Sequence, residues 1–196
     1  TNASYPPLER FMGVAWRTTP GTESEWSAQM NYLPLVTAGQ RPVFLDDARV
    51  LAELMQAEFD SAKVVYLPPE SRALISATNF GSAKILESKF DINSVDIEAE
   101  AETAALVVIA QTWYHHWQAK VDGKPARVLR ANVAFQAVEI PAGRHKIELA
   151  YRDKLFEIGG IVSAFMWFNC LVSYVCIKRR FMPPTEPDPD EEENYL

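Results

Sequence analysis

Cysteine is nearly absent from this 196-residue chain: there are two, Cys170 and Cys176. Both lie in one apolar run, and six residues along a helix turn about 600°, so the two side chains point apart and no intrachain disulfide is expected. Histidine is almost as scarce, with only His115, His116 and His145. Neighbouring residues on a strand face opposite sides, so His115 and His116 are not expected to chelate together, and neither a metal site nor any other cofactor is expected. A basic excess is also missing. The chain has 19 Lys+Arg against 26 Asp+Glu, for a formal net charge of −7, which argues against a nucleic-acid partner. No Ser-based nucleophile elbow, phosphate loop or Cys/His pair suited to nucleophilic catalysis is visible, so no catalytic residue is expected and the chain by itself does not read as an enzyme. No repeat of 20–50 residues is visible. The chain opens Thr-Asn-Ala-Ser, with no Met and no charged leader before an apolar stretch, which leads us to expect a piece of a longer protein or a processed chain.

What is present is a composition 48% hydrophobic, enough for one globular domain, with charge placed very unevenly. Residues 1–157 hold 16 basic and 20 acidic side chains, Lys178-Arg179-Arg180 follow in a row, and six acids lie between Glu186 and Glu193. From Ile158 to Ile177 there are 20 residues without a charge. A helix of that length spans roughly 30 Å, the thickness of a bilayer's hydrocarbon core. The basic cluster directly after it predicts a cytoplasmic C-terminal tail, with residues 1–157 on the other side of the membrane. The alternative is a soluble protein whose apolar run is a buried core helix. Gly159, Ser163, Cys170 and Ser173 form a small or polar stripe, either a seam for other transmembrane helices or the ordinary composition of a membrane helix. The Pro- and acid-rich tail is expected to be disordered.

Before the run, Asp46 to Phe59 shows a helical period, with Val50, Leu51, Leu54, Met55 and Phe59 on one face. Leu33–Thr37, Pro42–Leu45 and Lys63–Leu67 read as short extended pieces. From residue 71 the period becomes two. Ile85–Phe90, Val95–Ala99 and the continuous apolar Ala104–Ala110 are followed by Trp117–Val121, a turn at Asp122-Gly123, a return strand over Pro125–Arg130, and alternating segments through Phe135 and Tyr151. The expected fold is mainly β: an antiparallel β-sandwich or jelly-roll-like extracytoplasmic domain with one short amphipathic helix, followed by one transmembrane helix. The expected division is a mixed α/β part over 1–70, the β-sandwich over 71–154, the transmembrane helix over 155–177, and a basic stop with acidic tail over 178–196.

Glu98, Glu100 and Glu102 are spaced by two opposite Val95, Ile97 and Ala99, the pattern of a solvated face rather than of paired catalytic acids. His145 shares the period of Ile147 and Leu149 and reads as a hydrogen-bonded core or interface histidine. Trp113, Tyr114, His115, His116 and Trp117 could stack on a sugar ring, anchor at a membrane interface, or fill the core with alternate members. Arg130 and Asn132, after the return strand, are placed near them as further glycan-binding candidates.

Those residues carry a family pattern. Trp113-Tyr114-His115-His116-Trp117-Gln118-Ala119-Lys120-Val121-Asp122-Gly123-Lys124-Pro125, then Arg130-Ala131-Asn132-Val133-Ala134-Phe135-Gln136, then Pro141-Ala142-Gly143-Arg144-His145 and Tyr151, with a final apolar helix, resemble the C-terminal region of YfhO-like bacterial membrane proteins over about residues 84–180, and more loosely from Leu33 onward. Where the family commonly has Pro-Gly before the tryptophan, this chain has His115-His116. The resemblance implies a large polytopic protein similar to GT-C glycosyltransferases that use lipid-linked sugars, whose catalytic acid lies in an early loop outside this sequence. The implied partners are the bilayer, other transmembrane helices of the same protein, and a glycan or polyprenyl-linked sugar. The alternative is a non-enzymatic, membrane-anchored module that binds carbohydrate or protein.

Overall fold

The computed structural model describes residues 6–19, 22–56, 58–78 and 80–181. The chain divides into two units, Thr1–Arg152 and Asp153–Leu196. The first is mainly β and is built around two antiparallel sheets. One has five strands in the order β10 (Lys124–Ala126), β9 (Trp117–Val121), β13 (Gly143–Tyr151), β7 (Ser94–Ala101), β6 (Ala83–Phe90). The other has four, in the order β11 (Leu129–Ala131), β12 (Phe135–Ile140), β8 (Ala105–Ile109), β3 (Val36–Ala38).

The two sheets close on one shared core. Val95, Ile97 and Ala99 from β7 and Ile147 and Leu149 from β13 meet Val107 and Ile109 from β8 and Val138 and Ile140 from β12. Fully burying an aliphatic side chain of this size stabilises by about 1.5–3 kcal/mol, so this layer dominates the stability of the unit. The opposite face of the four-stranded sheet is buried as well, with Leu106, Val108, Leu129 and Ala137 packed on Val65, Leu67 and Ala77. β8 is therefore an interior strand buried on both faces. That is why its sequence is an unbroken apolar run instead of an alternation.

Val65 and Leu67 belong to β5 (Val64–Leu67), which pairs in parallel with β4 (Arg41–Phe44). α2 (Asp47–Leu54) joins them, and Asp46 caps it by accepting the backbone N–H of Arg49 at 3.0 Å. The helix is shorter than its sequence period predicts. It buries Val50 and Leu54, one turn apart, and leaves Leu51 and Met55 about half exposed, because only the narrow 50/54 stripe meets Phe11 and Tyr66. α1 (Pro6–Phe11) and the hairpin of β1 (Trp16–Thr19) and β2 (Thr22–Ala28) complete the unit.

One predicted strand is divided in two. The stretch predicted as a single return strand over 125–130 contains β10, which pairs with β9, and β11, which pairs with β12 in the other sheet, so the chain changes sheets between Ala126 and Leu129. The hairpin turn at Asp122-Gly123 has both central residues at positive φ, 51° and 76°, as a type I′ turn requires.

In the second unit α3 runs from Lys154 to Phe181, long and apolar enough to cross a membrane, with none of its residues buried. Asp153 caps it by accepting the N–H groups of Leu155 and Phe156. The helix continues through Lys178-Arg179-Arg180, whose positive charge suits its C-terminal dipole. The acidic tail after Met182 lies outside the described residues.

Candidate functional site

The loop from β8 to β9 carries the aromatic segment from one sheet to the other. Its start is pinned from below: Gln136, fully buried in β12, donates from Nε2 to the Thr112 carbonyl at 2.9 Å, and the Trp113 N–H donates to the Ala134 carbonyl at 2.6 Å. Tyr114 to Trp117 then form a tight turn in which the Trp117 N–H donates to the Tyr114 carbonyl. His115 and His116 thus sit in a turn and not on a strand. Their rings approach to 4.1 Å between centroids instead of pointing to opposite faces. Among the described residues, no group of three His, Cys, Asp or Glu side chains converges on a point that could hold a metal ion.

Four of the seven candidate residues, Trp113, Tyr114, His115 and Trp117, line one open cleft of about 430 Å³, together with Gln118 and Lys120 of β9 and Pro125 and Ala126 of β10. Trp117, Ala126 and Val128 also pack against the sandwich core, so the floor is apolar and fixed. Tyr114 and His115 are exposed with rings 4.1 Å apart. Tyr151, opposite Trp117 in the β13–β9 register, supports them from behind. Its ring meets Trp117 edge-on at 5.6 Å and stacks towards Tyr114 at 6.4 Å, and its hydroxyl lies 3.3 Å from His116 Nδ1. His116 therefore belongs to the supporting layer, not to the cleft wall.

Arg130 and Asn132 are engaged elsewhere. Arg130 Nη1 donates to Asp47 Oδ2 at 2.7 Å, at the start of α2. Asn132 is buried and makes two bonds to Tyr66, its N–H donating to the Tyr66 carbonyl and its Oδ1 accepting the Tyr66 N–H, both at 2.8 Å. It also adopts a positive φ of 48°, which asparagine tolerates better than most residues. Arg130 ties β11 to the start of α2 and Asn132 ties the β11–β12 turn to β5, and that turn presents the Ala134 carbonyl to Trp113.

Two residues of the site, Gln136 and Tyr151, fall in the family pattern but were not named as binding candidates. Gln136 is the lone uncharged polar residue in the apolar run of β12, and Tyr151 closes the alternation of β13. Those breaks in pattern were the available signals.

The remaining polar clusters are structural. Glu98 pairs with Arg144 at 2.5 Å and Glu100 with Lys84 at 2.9 Å, forming an exposed ladder of alternating charge on the outer face of the five-stranded sheet. Lys84 beside Glu100 holds its carboxyl below the usual range. His145 Nδ1 meets Asp122 Oδ2 at 2.6 Å, and Asp122 Oδ1 accepts the Lys146 N–H. Hydrogen bonding between the two raises the histidine pKa and lowers that of Asp122.

No curated protein matches the sequence. Residues 66–163, half of the chain, match the family model described as bacterial membrane protein YfhO. That stretch runs from the end of β5, through both sheets and the aromatic loop, into α3. The shared pattern therefore covers most of the two-sheet unit together with the start of α3, the helix long and apolar enough to cross a membrane, and the chain belongs to the YfhO family of bacterial membrane proteins.

Proposed function

We propose that residues 1–157 lie on the extracytoplasmic side of a bacterial cytoplasmic membrane and that the cleft at Trp113–Trp117 binds a sugar ring for a polytopic GT-C-like glycosyltransferase. The observation that carries this reading is the cleft itself. Its volume of about 430 Å³ falls in the ordinary range of small-ligand sites, and four aromatic or imidazole rings line it beside Gln118 and Lys120. An aromatic face covers the C–H side of a sugar, while neighbouring amide and ammonium groups donate to its hydroxyls. Lys178-Arg179-Arg180 after α3 support a cytoplasmic tail and hence an outer sandwich. Family membership supports the lipid-linked sugar as donor, with other membrane helices packed on α3 and the catalytic acid supplied from outside this chain.

The test is a tryptophan-fluorescence titration of the full chain in nanodiscs with neutral oligosaccharides. Saturable quenching is expected, with Tyr114→Ala and His115→Ala each weakening it about tenfold, equivalent to about 1.4 kcal/mol. Unchanged affinity in both folded variants rules the cleft out as the sugar site.

A further inference from the structure

The chain leaves the two-sheet unit just after Tyr151, and two loops are tied to that exit. The Tyr151 N–H donates to the Asn93 carbonyl at 2.9 Å, and the Arg152 N–H donates to the His116 carbonyl at 3.1 Å. Asn93 closes the tip of the hairpin between β6 and β7, and His116 belongs to the aromatic turn. α3 begins two residues after Arg152, at Lys154. Covalent geometry then sets a bound that holds at whatever angle α3 departs. Three residues reach at most about 11 Å, so Tyr151 lies within that distance of Lys154. From Lys154 to Ile158, where the charge-free run begins, a helix rises about 6 Å, the depth of one headgroup layer. A bilayer that takes in that run therefore has its surface within reach of the exit and of the loops bonded to it.

The hairpin tip at this exit carries a large apolar residue where turns usually hold small or polar ones. It reads Asp91-Ile92-Asn93, and Ile92 is 91% exposed. Exposure alone does not single it out, since Met30 is 90% exposed; its place beside the exit does. The tip is also suited to leave bulk water. Asp91 Oδ1 accepts the Ile92 N–H at 2.8 Å and the Asp91 N–H donates to the Ser94 carbonyl at 2.9 Å, so two backbone donors are satisfied within the turn. In the aromatic turn Tyr114 is about half exposed, and tyrosine is enriched at membrane interfaces.

We propose that the β6–β7 tip is a second membrane contact of this chain, with the Ile92 side chain seated among the lipid headgroups and upper acyl carbons. The proposal rests on α3 crossing the membrane and not on the sugar reading, since Ile92 does not line the aromatic cleft. The test is methyl NMR of the full chain in phosphatidylcholine nanodiscs, with the Ile92 δ1 methyl assigned through Ile92→Val. Two relaxation agents are compared: a lipid carrying a nitroxide at the top of its acyl chain, and a water-soluble gadolinium chelate. The lipid agent is expected to erase the Ile92 signal and the chelate to spare it, despite the exposure of this residue in the unit. Ala142, exposed in the turn before β13, reports on the far end, because Gly143 to Tyr151 is eight residue steps, about 26 Å. Its methyl is expected to survive the lipid agent and be lost to the chelate. Ile161 of α3 is expected to lose its signal to the lipid agent; if it does not, the helix is outside the bilayer and the proposal fails at its premise. With Ile161 erased, survival of the Ile92 signal in the lipid agent overturns the proposal, and sparing by both agents then assigns the tip to contact with a second copy of the chain. Loss of both Ile92 and Ala142 to the lipid agent also overturns it, since the contact is then not confined to the tip.

Discussion

Replacing Asn132 by alanine tests the anchoring role in which the structure places this residue. The substitution removes Oδ1 and leaves the Tyr66 N–H, buried against β11, without a partner. An orphaned buried donor costs about 1–3 kcal/mol, and alanine at a positive φ adds about 1 kcal/mol more. The expected loss is thus about 2–4 kcal/mol, a drop of roughly 5–12 °C in the midpoint for a unit of this size. Asn132→Gly separates the two causes, since glycine accepts the backbone angle of 48° but supplies no acceptor. It is expected to lose nearly as much, because the hydrogen bond is the larger part. The assay is urea unfolding of the full chain in micelles, followed by near-ultraviolet circular dichroism. Asn132→Gly within about 0.5 kcal/mol of the parent chain, well below the cost of an orphaned donor, refutes the reasoning and leaves only backbone conformation at this site.

Other outcomes follow from the same structure. Trp117→Ala, which strips a ring packed on the core and on Tyr151, is expected to cost about 2–4 kcal/mol, and Tyr114→Ala under about 1 kcal/mol, in the same unfolding assay. The His145–Asp122 pair gives a pH signature of known sign. With the histidine pKa raised, its contribution is full below the unfolded value near 6.5 and is lost as pH rises through the raised folded value; with the Asp122 pKa lowered, the acid's share is present above about 3.9 and is lost as pH falls through the lowered folded value. His145→Gln should flatten the alkaline limb of a plot of melting temperature against pH; an unchanged limb contradicts the assignment. For sidedness, Lys124→Cys should react with a membrane-impermeant maleimide in intact cells, and Leu196→Cys only after permeabilisation.

The strands β7 and β9 were legible in sequence because one face of each is buried and the other wet. The burial of β7 alternates through Val95, Ile97, Ala99 and Ala101. β8 was legible for the opposite reason, since both its faces are covered. The same double coverage misled at β12. Val133 joins the apparent alternation of Phe135 and Ala137 but sits in the turn at a φ of 70°, and alternate residues of β12 serve two different cores. The β1–β2 hairpin was not foreseen, because segments such as WRTT and TESEWSA carry no apolar period. In the aromatic segment the residue types were informative but the backbone was not: a strand was assumed where Tyr114–Trp117 form a turn, and this turn is what brings the two imidazoles together. Arg130 and Asn132 were assigned to the cleft by sequence distance. Their partners, Asp47 and Tyr66, lie 83 and 66 residues away, separations that no local pattern encodes.

The most direct test of the proposed sugar site is saturation-transfer NMR on the full chain in nanodiscs, irradiating aromatic protons and observing a bound neutral oligosaccharide. Transfer is expected to concentrate on the C–H protons of one sugar face and to vanish in the folded Tyr114→Ala and His115→Ala double variant. Transfer that persists in that variant, or none at all from the folded parent chain, contradicts a sugar-binding role for the cleft.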